Sequence, residues 1–115
     1  MAGALMVVAG VAAVPMLSAT PAFADDRCAA NHFCAYRDAG YHHVLLSSSA
    51  PRGTDNIQVA HDETSSGKNR TDNHWNGVDE HTFLPDETIF TWAPHTDVSY
   101  IGNGPNDKID HFYVN

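Results

Sequence analysis

Beyond position 25 the chain holds no run in which apolar residues recur at three- and four-residue intervals, so nothing offers the single buried face of an amphipathic helix. Short runs rich in aromatic and β-branched residues stand there instead, at 32–37, 44–47, 57–60, 82–84, 88–92, 98–101 and 112–114. Gly, Pro, Asn and Asp separate them, which is the punctuation of short strands. The pattern predicts an all-β sandwich. Asn76-Gly77, between Trp75 and Val78, reads as a type I′ hairpin turn because both residues tolerate positive φ. Further loops are expected at 51–53, 94–95 and 102–105, and Ser47-Ser48-Ser49 reads as flexible loop. Trp75, Trp92, Phe33, Phe83, Phe90 and Phe112 are assigned to the core, since so small a domain depends on aromatic burial.

The first 24 residues change the picture of where this domain works. Residues 4–17 are an apolar run, followed by Pro21 and the small-x-small sequence Ala22-Phe23-Ala24, as in a secretory signal peptide cleaved before Asp25. The run is shorter than the ~20 residues that span a bilayer, so removal is favoured over a membrane anchor. No Lys or Arg precedes Arg27, so the usual basic start of a signal is missing. The expectation is a signal peptide at 1–24 and one secreted domain at 25–115, a monomer of 115 − 24 = 91 residues without membrane contact. Its two cysteines, Cys28 and Cys34, predict a disulfide in an oxidising compartment, with zinc binding as the alternative. Fourteen Asp and Glu against six Lys and Arg give a net charge of −8, which argues against nucleic acid as a partner.

Candidate chemistry narrows further. Ser, His and Asp are abundant, but no Gly-x-Ser-x-Gly elbow, His-Glu-x-x-His helix or phosphate-cradling Gly loop is present, and no enzymatic activity is expected. Eight histidines, His42 and His43 among them, invite a zinc site, yet neighbours on a strand point to opposite faces and no ligand spacing supports one. Asn69-Arg70-Thr71 matches a glycosylation triplet and reads more simply as a turn. Two related hexapeptides remain, His61-Asp-Glu-Thr-Ser-Ser66 and Asn106-Asp-Lys-Ile-Asp-His111, each with Asp second and an oxygen-bearing side chain fifth. Such a recurrence predicts two similar halves. Either the loops bind a hard cation through carboxylate, hydroxyl and carbonyl oxygens, or Asp62 and Asp107 cap their own turns.

On these residues the chain resembles the βγ-crystallin fold group, and within it the small secreted bacterial metalloproteinase inhibitors. The likeness rests on Cys28, five residues, Cys34, one residue and Tyr36, on Tyr36 followed five positions later by Tyr41, and on the hexapeptides. His43 stands where that group has a glycine, and Asp110 and His111 stand where it has Ser or Thr and then Ser. The resemblance implies a Greek-key β-sandwich of two pseudo-symmetric halves, with Cys28 paired to Cys34. It implies calcium at two sites, one formed by the Glu63 carbonyl, Ser65 hydroxyl and Asp107 carboxylate, the other by the Lys108 carbonyl, Asp110 and Asp62. It further implies an extracellular metalloprotease as partner, blocked by a pre-formed loop for which 70–74 and 94–98 are candidates. That inhibitor family braces its loop with a second disulfide, for which this chain has no cysteines. The alternative is a calcium-binding module without inhibitory activity.

Overall fold

The computed structural model describes residues 26–115, so the signal peptide expected at 1–24 lies outside the described residues. Eight strands follow in order: β1 Phe33–Asp38, β2 His42–Ser48, β3 Ile57–Gln58, β4 Ser66–Asn69, β5 Trp75–Asp79, β6 Glu87–Trp92, β7 Thr96–Val98 and β8 His111–Val114. They form two four-stranded sheets ordered β2-β1-β4-β7 and β3-β8-β5-β6, and every pairing is antiparallel. Advancing each label of the first sheet by four, with β7 passing to β3, gives the second sheet read backwards. The molecule is thus two equivalent four-stranded units, each lending its third strand to the other's sheet. Both units carry an irregularity at the same place, between Ala35 and Tyr36 in β1 and between Gly77 and Val78 in β5.

The core lies between the sheets. Phe33 of β1 stacks on Trp75 of β5 with ring centroids 4.6 Å apart, and Trp92 and Phe112 meet Phe33 edge-on or tilted at 5.1 Å. Two glycines let this packing close. A Cβ on Gly67 would lie 2.8 Å from the Trp92 ring, and one on Gly77 would lie 2.5 Å from Cδ1 of Ile109, so neither position has room for a side chain. On the outer face of the first sheet, residues 26–32 cover β1. Cys28 is bonded to Cys34, and the Tyr36 hydroxyl donates to the Asp26 carbonyl at 3.0 Å. That cover explains why β1 is buried on both faces.

Several expectations are corrected. Asn76-Gly77 is no turn: both residues lie inside β5, where the Asn76 amide donates to the Tyr113 carbonyl and accepts from Thr91 Oγ1 at 2.8 Å. The absent Cβ of Gly77 serves the close approach of Ile109 rather than a positive φ. Residues 82–84 form bends in the β5 to β6 connection, and Phe83, assigned to the core, is 96% exposed. Ser47 and Ser48 belong to the end of β2 rather than to a loop. The strand expected at 98–101 runs earlier, as β7, because Thr96 to Val98 pair with Gly67 to Asn69. The run at 57–60 shortens to Ile57 and Gln58. β4 has the sequence Ser-Gly-Lys-Asn, which offers no apolar pattern, yet all four residues are buried.

Asn69 is fully buried and donates to the carbonyls of Asn73, Trp92 and Ala93, so the glycosylation triplet serves the interior of the fold.

Candidate cation site

The two hexapeptides lie side by side near the ends of β1 and β5, and the backbone holds them there symmetrically. Asp62 and Asp107 sit in the left-handed region, with φ of 61° and 59°, a conformation Asp tolerates better than most residues. Each aspartate is tied to the opposite loop: the Asp62 N–H donates to the Ile109 carbonyl and the Asp107 N–H to the Thr64 carbonyl, both at 3.1 Å. The fifth positions are equivalent too. The Ser65 N–H donates to Tyr36 O at 2.9 Å, and the Asp110 N–H donates to Val78 O at 2.8 Å.

In the first arrangement the Ser65 hydroxyl donates to Asp107 Oδ1 at 3.2 Å, across 42 residues of chain. The pair opens onto a cleft of about 510 Å³ that also meets Glu63, Asn106, Arg37 and Asp38. Among the described residues, Oδ1 of Asn106 is buried without a hydrogen-bond partner. An orphaned buried acceptor costs about 1–3 kcal/mol, which a coordinated cation would relieve. The donor set here is a hydroxyl, carboxylate and amide oxygen, suited to a hard ion such as calcium and poorly suited to zinc.

The second arrangement pairs Asp110 with Asp62. Partial desolvation and then the neighbouring Asp110 carboxylate push the Asp62 pKa above the ordinary carboxylate value. Asp110 is itself engaged, accepting from the Glu80 N–H at 2.8 Å and lying 3.4 Å from His61 Nδ1. Glu80 in turn contacts His111 Nδ1 at 2.7 Å. The structure therefore brings together Ser65 with Asp107 and Asp62 with Asp110, and it places Glu63 at the first cleft. Lys108 lines a separate cleft beside Asp79 and Glu87. Sequence reasoning missed Glu80 and His61 as partners of Asp110. Matching β1 to β5 residue by residue would have found Glu80, since it takes the place of Asp38.

The hairpin between β1 and β2 also follows the sequence. His43, standing for glycine, takes φ of 63° and is held by its N–H donating to Asp26 Oδ2 at 2.8 Å and by a hydrogen bond between its Nδ1 and Asp38 Oδ2. The His43 hydrogen bond lowers the Asp38 pKa despite some opposing desolvation. Tyr36 and Tyr41 meet edge-on at 5.8 Å. Five of the histidines, His43, His61, His81, His95 and His111, each face a carboxylate. Among the described residues no group of three or more His, Cys, Asp or Glu side chains gathers as a metal site. The two expected ligand sets contain no such group, since they rely on carbonyl and hydroxyl oxygens beside one or two carboxylates.

With this geometry the chain is similar to solved βγ-crystallin domains. A βγ-crystallin domain from Clostridium beijerinckii shares 21% identity over 72% of this chain and 95% of that one, with a TM-score of 0.51. A double mutant of that domain shares 22% identity over 72% and 94%, again with a TM-score of 0.51. At such identities the likeness defines the fold, a Greek-key β-sandwich of βγ-crystallin type. No protein-family model matches the chain, and no curated protein matches it. None of these comparisons points to peptidase inhibitors.

Proposed function

We propose that the protein is a secreted calcium-binding module of βγ-crystallin type, in which the ion clamps the two halves together through their hexapeptide loops. The observation that carries this reading is the reciprocal approach of Ser65 to Asp107 and Asp62 to Asp110, each pair drawn from both halves. Ion binding to the folded state alone stabilises it by mass action, by about 1.4 kcal/mol per site at calcium tenfold above Kd. For a domain of this size that is roughly a 5–10 °C rise in Tm. A thermal melt with calcium titrated to millimolar levels should show the rise, and Asp62→Asn with Asp107→Asn should abolish it. If parent and double variant melt alike at every calcium concentration, the two aspartates only cap their turns.

The effect depends on pH with a definite sign. The folded-state pKa of Asp62 is raised, so between its unfolded and folded values the native state binds more proton, and metal-free stability falls as pH rises through that window. The same raised value lets protons compete with calcium sooner than at an ordinary carboxylate. The calcium-induced rise in Tm should therefore shrink as pH is lowered toward the carboxylate range.

A second reading, metalloprotease inhibition by loop insertion, is favoured by one observation. The candidate loops 70–74 and 94–98 brace each other, through His95 N–H to Thr71 O at 3.2 Å, His95 to Asp72 at 2.6 Å and Arg70 to Asp97 at 3.3 Å. A loop ordered before binding avoids part of the entropic cost of docking. Incubation with a thermolysin-like protease should then slow cleavage of a reporter peptide, and an unchanged rate at large protein excess removes this reading.

A further inference from the structure

The chain holds two Asn-Gly pairs, Asn76-Gly77 and Asn103-Gly104, and the fold treats them oppositely. In such a pair the glycine nitrogen can reach the side-chain amide carbon of the asparagine, because glycine has no Cβ to restrict the backbone or block the approach. Asn76 is buried inside β5, and its Nδ2 donates to the Tyr113 carbonyl and to Asn115 Oδ1 at 3.3 and 2.9 Å. Gly77 is paired with Phe90 on one side and Phe112 on the other, so its nitrogen reaches Cγ of Asn76 only if β5 leaves the middle of its sheet. Asn103 and Gly104 are both exposed, in the turn that leads into the second hexapeptide. A Cβ on Gly104 would meet nothing within 4 Å, and the Asn103 amide oxygen accepts from the Tyr100 hydroxyl at 2.5 Å, which draws charge away from Cγ.

We propose that Asn103 is a self-modification site, converting in the native protein to aspartate and isoaspartate while Asn76 is preserved. The Gly104 nitrogen gives up its proton to base and bonds to Asn103 Cγ, and Nδ2 leaves as ammonia. Water then opens the resulting five-membered imide at one of its two carbonyls. Opening at Cγ leaves aspartate. Opening at the main-chain carbonyl leaves isoaspartate, in which the backbone runs through the side chain and gains a methylene. That methylene enters a closed turn, where the Asn106 N–H donates to the Gly102 carbonyl at 3.0 Å and the Asp107 N–H ties the second hexapeptide to the first through the Thr64 carbonyl at 3.1 Å. The isoaspartyl form cannot close the same turn, so it loosens Asp107 from Thr64, whereas the aspartyl form keeps the turn. None of this depends on a bound cation.

The test is incubation of the protein at mildly alkaline pH, folded and in urea, with conversion at each asparagine followed by fragment-ion mass mapping. Asn103 should convert in the folded protein within about tenfold of its rate in the unfolded chain, while Asn76 falls at least roughly a hundredfold below its own unfolded rate, since it reacts only through opening of a core strand. Protection of Asn103 as strong as that of Asn76 overturns the proposal. So does an acidic product that still accumulates in folded Asn103→Ala. Hydrogen exchange of the two products, separated by charge and retention, then reads the consequence. The Asp107 amide should exchange faster in the isoaspartyl form and at the parent rate in the aspartyl form, which Asn103→Asp should match. Equal exchange in both products overturns the coupling between the turn and the hexapeptide.

Discussion

Trp92→Ala should lower the stability of the folded domain by about 3–5 kcal/mol, the range for removing a fully buried Trp. For a domain of this length that is a large share of the roughly 5–13 kcal/mol available in total. Trp92 is completely buried and touches Phe33, Phe90 and Phe112 with centroids at 5.1, 4.6 and 6.0 Å, so its loss opens contacts from both sheets at once. The site relaxes poorly. The Trp92 ring fills the space where a Gly67 side chain would stand, and the strand carrying Gly67 is held in register by β1 on one side and β7 on the other. Urea unfolding should show the midpoint falling by about 2 M or more with little change in slope. Phe83→Ala, on the exposed tip, should stay within about 0.5 kcal/mol of the parent. Equal losses from the two substitutions would mean that the core is not the one described.

Asn69→Ala should cost about 3 kcal/mol for a different reason. Its Nδ2 group serves the carbonyls of Asn73, Trp92 and Ala93 at 2.8, 3.1 and 2.9 Å, and its Oδ1 accepts from Thr71 N–H and Thr71 Oγ1 at 3.0 and 2.7 Å. Alanine leaves these groups in place without partners, and each unsatisfied buried group costs about 1–3 kcal/mol, lessened where water enters. The loops at 70–74 and 93–95 should loosen together because one amide spans both. Hydrogen exchange at Thr71 and His95 should accelerate more than exchange in β5 or β8. Uniform acceleration over all strands would show that Asn69 stabilises the domain globally and does not brace these loops in particular.

How far such features are legible in the sequence depends on whether a residue's role is local. β1, β2, β6 and β8 were visible because their apolar and β-branched residues declare a strand without reference to anything else. β4 was invisible because Ser66, Gly67, Lys68 and Asn69 are buried for reasons that lie elsewhere. Gly67 yields to Trp92, Lys68 reaches the Asp26 carbonyl at 3.3 Å and lies 4.7 Å from the Tyr41 ring centroid, and Asn69 serves two loops. Asn76-Gly77 misled for the same reason, as its glycine answers to Ile109, 32 positions away. Residue type alone assigns Phe83 to the core, and residue type says nothing about where a connection points. At the candidate site the second and fifth positions of each hexapeptide were legible as a repeated pattern. The engagement of Asp110 by Glu80 and His61 was not, since those residues meet it only once the two halves have closed on each other.

The exchange of third strands has a consequence for how the chain reaches this state. Among the described residues β3 pairs with β8 alone and β7 with β4 alone, so each half's strand set is complete only when the other half is in place. Gln58 pairs with His111 and Gly67 with Val98, pairings that join the two halves rather than closing local hairpins. Folding of this kind pays loop-closure entropy before the sheets return it, which makes it slow for its size and strongly cooperative. The repeat visible in the sequence is thus a repeat of geometry that closes only across the two halves, since the third strand of each pairs in the sheet of the other.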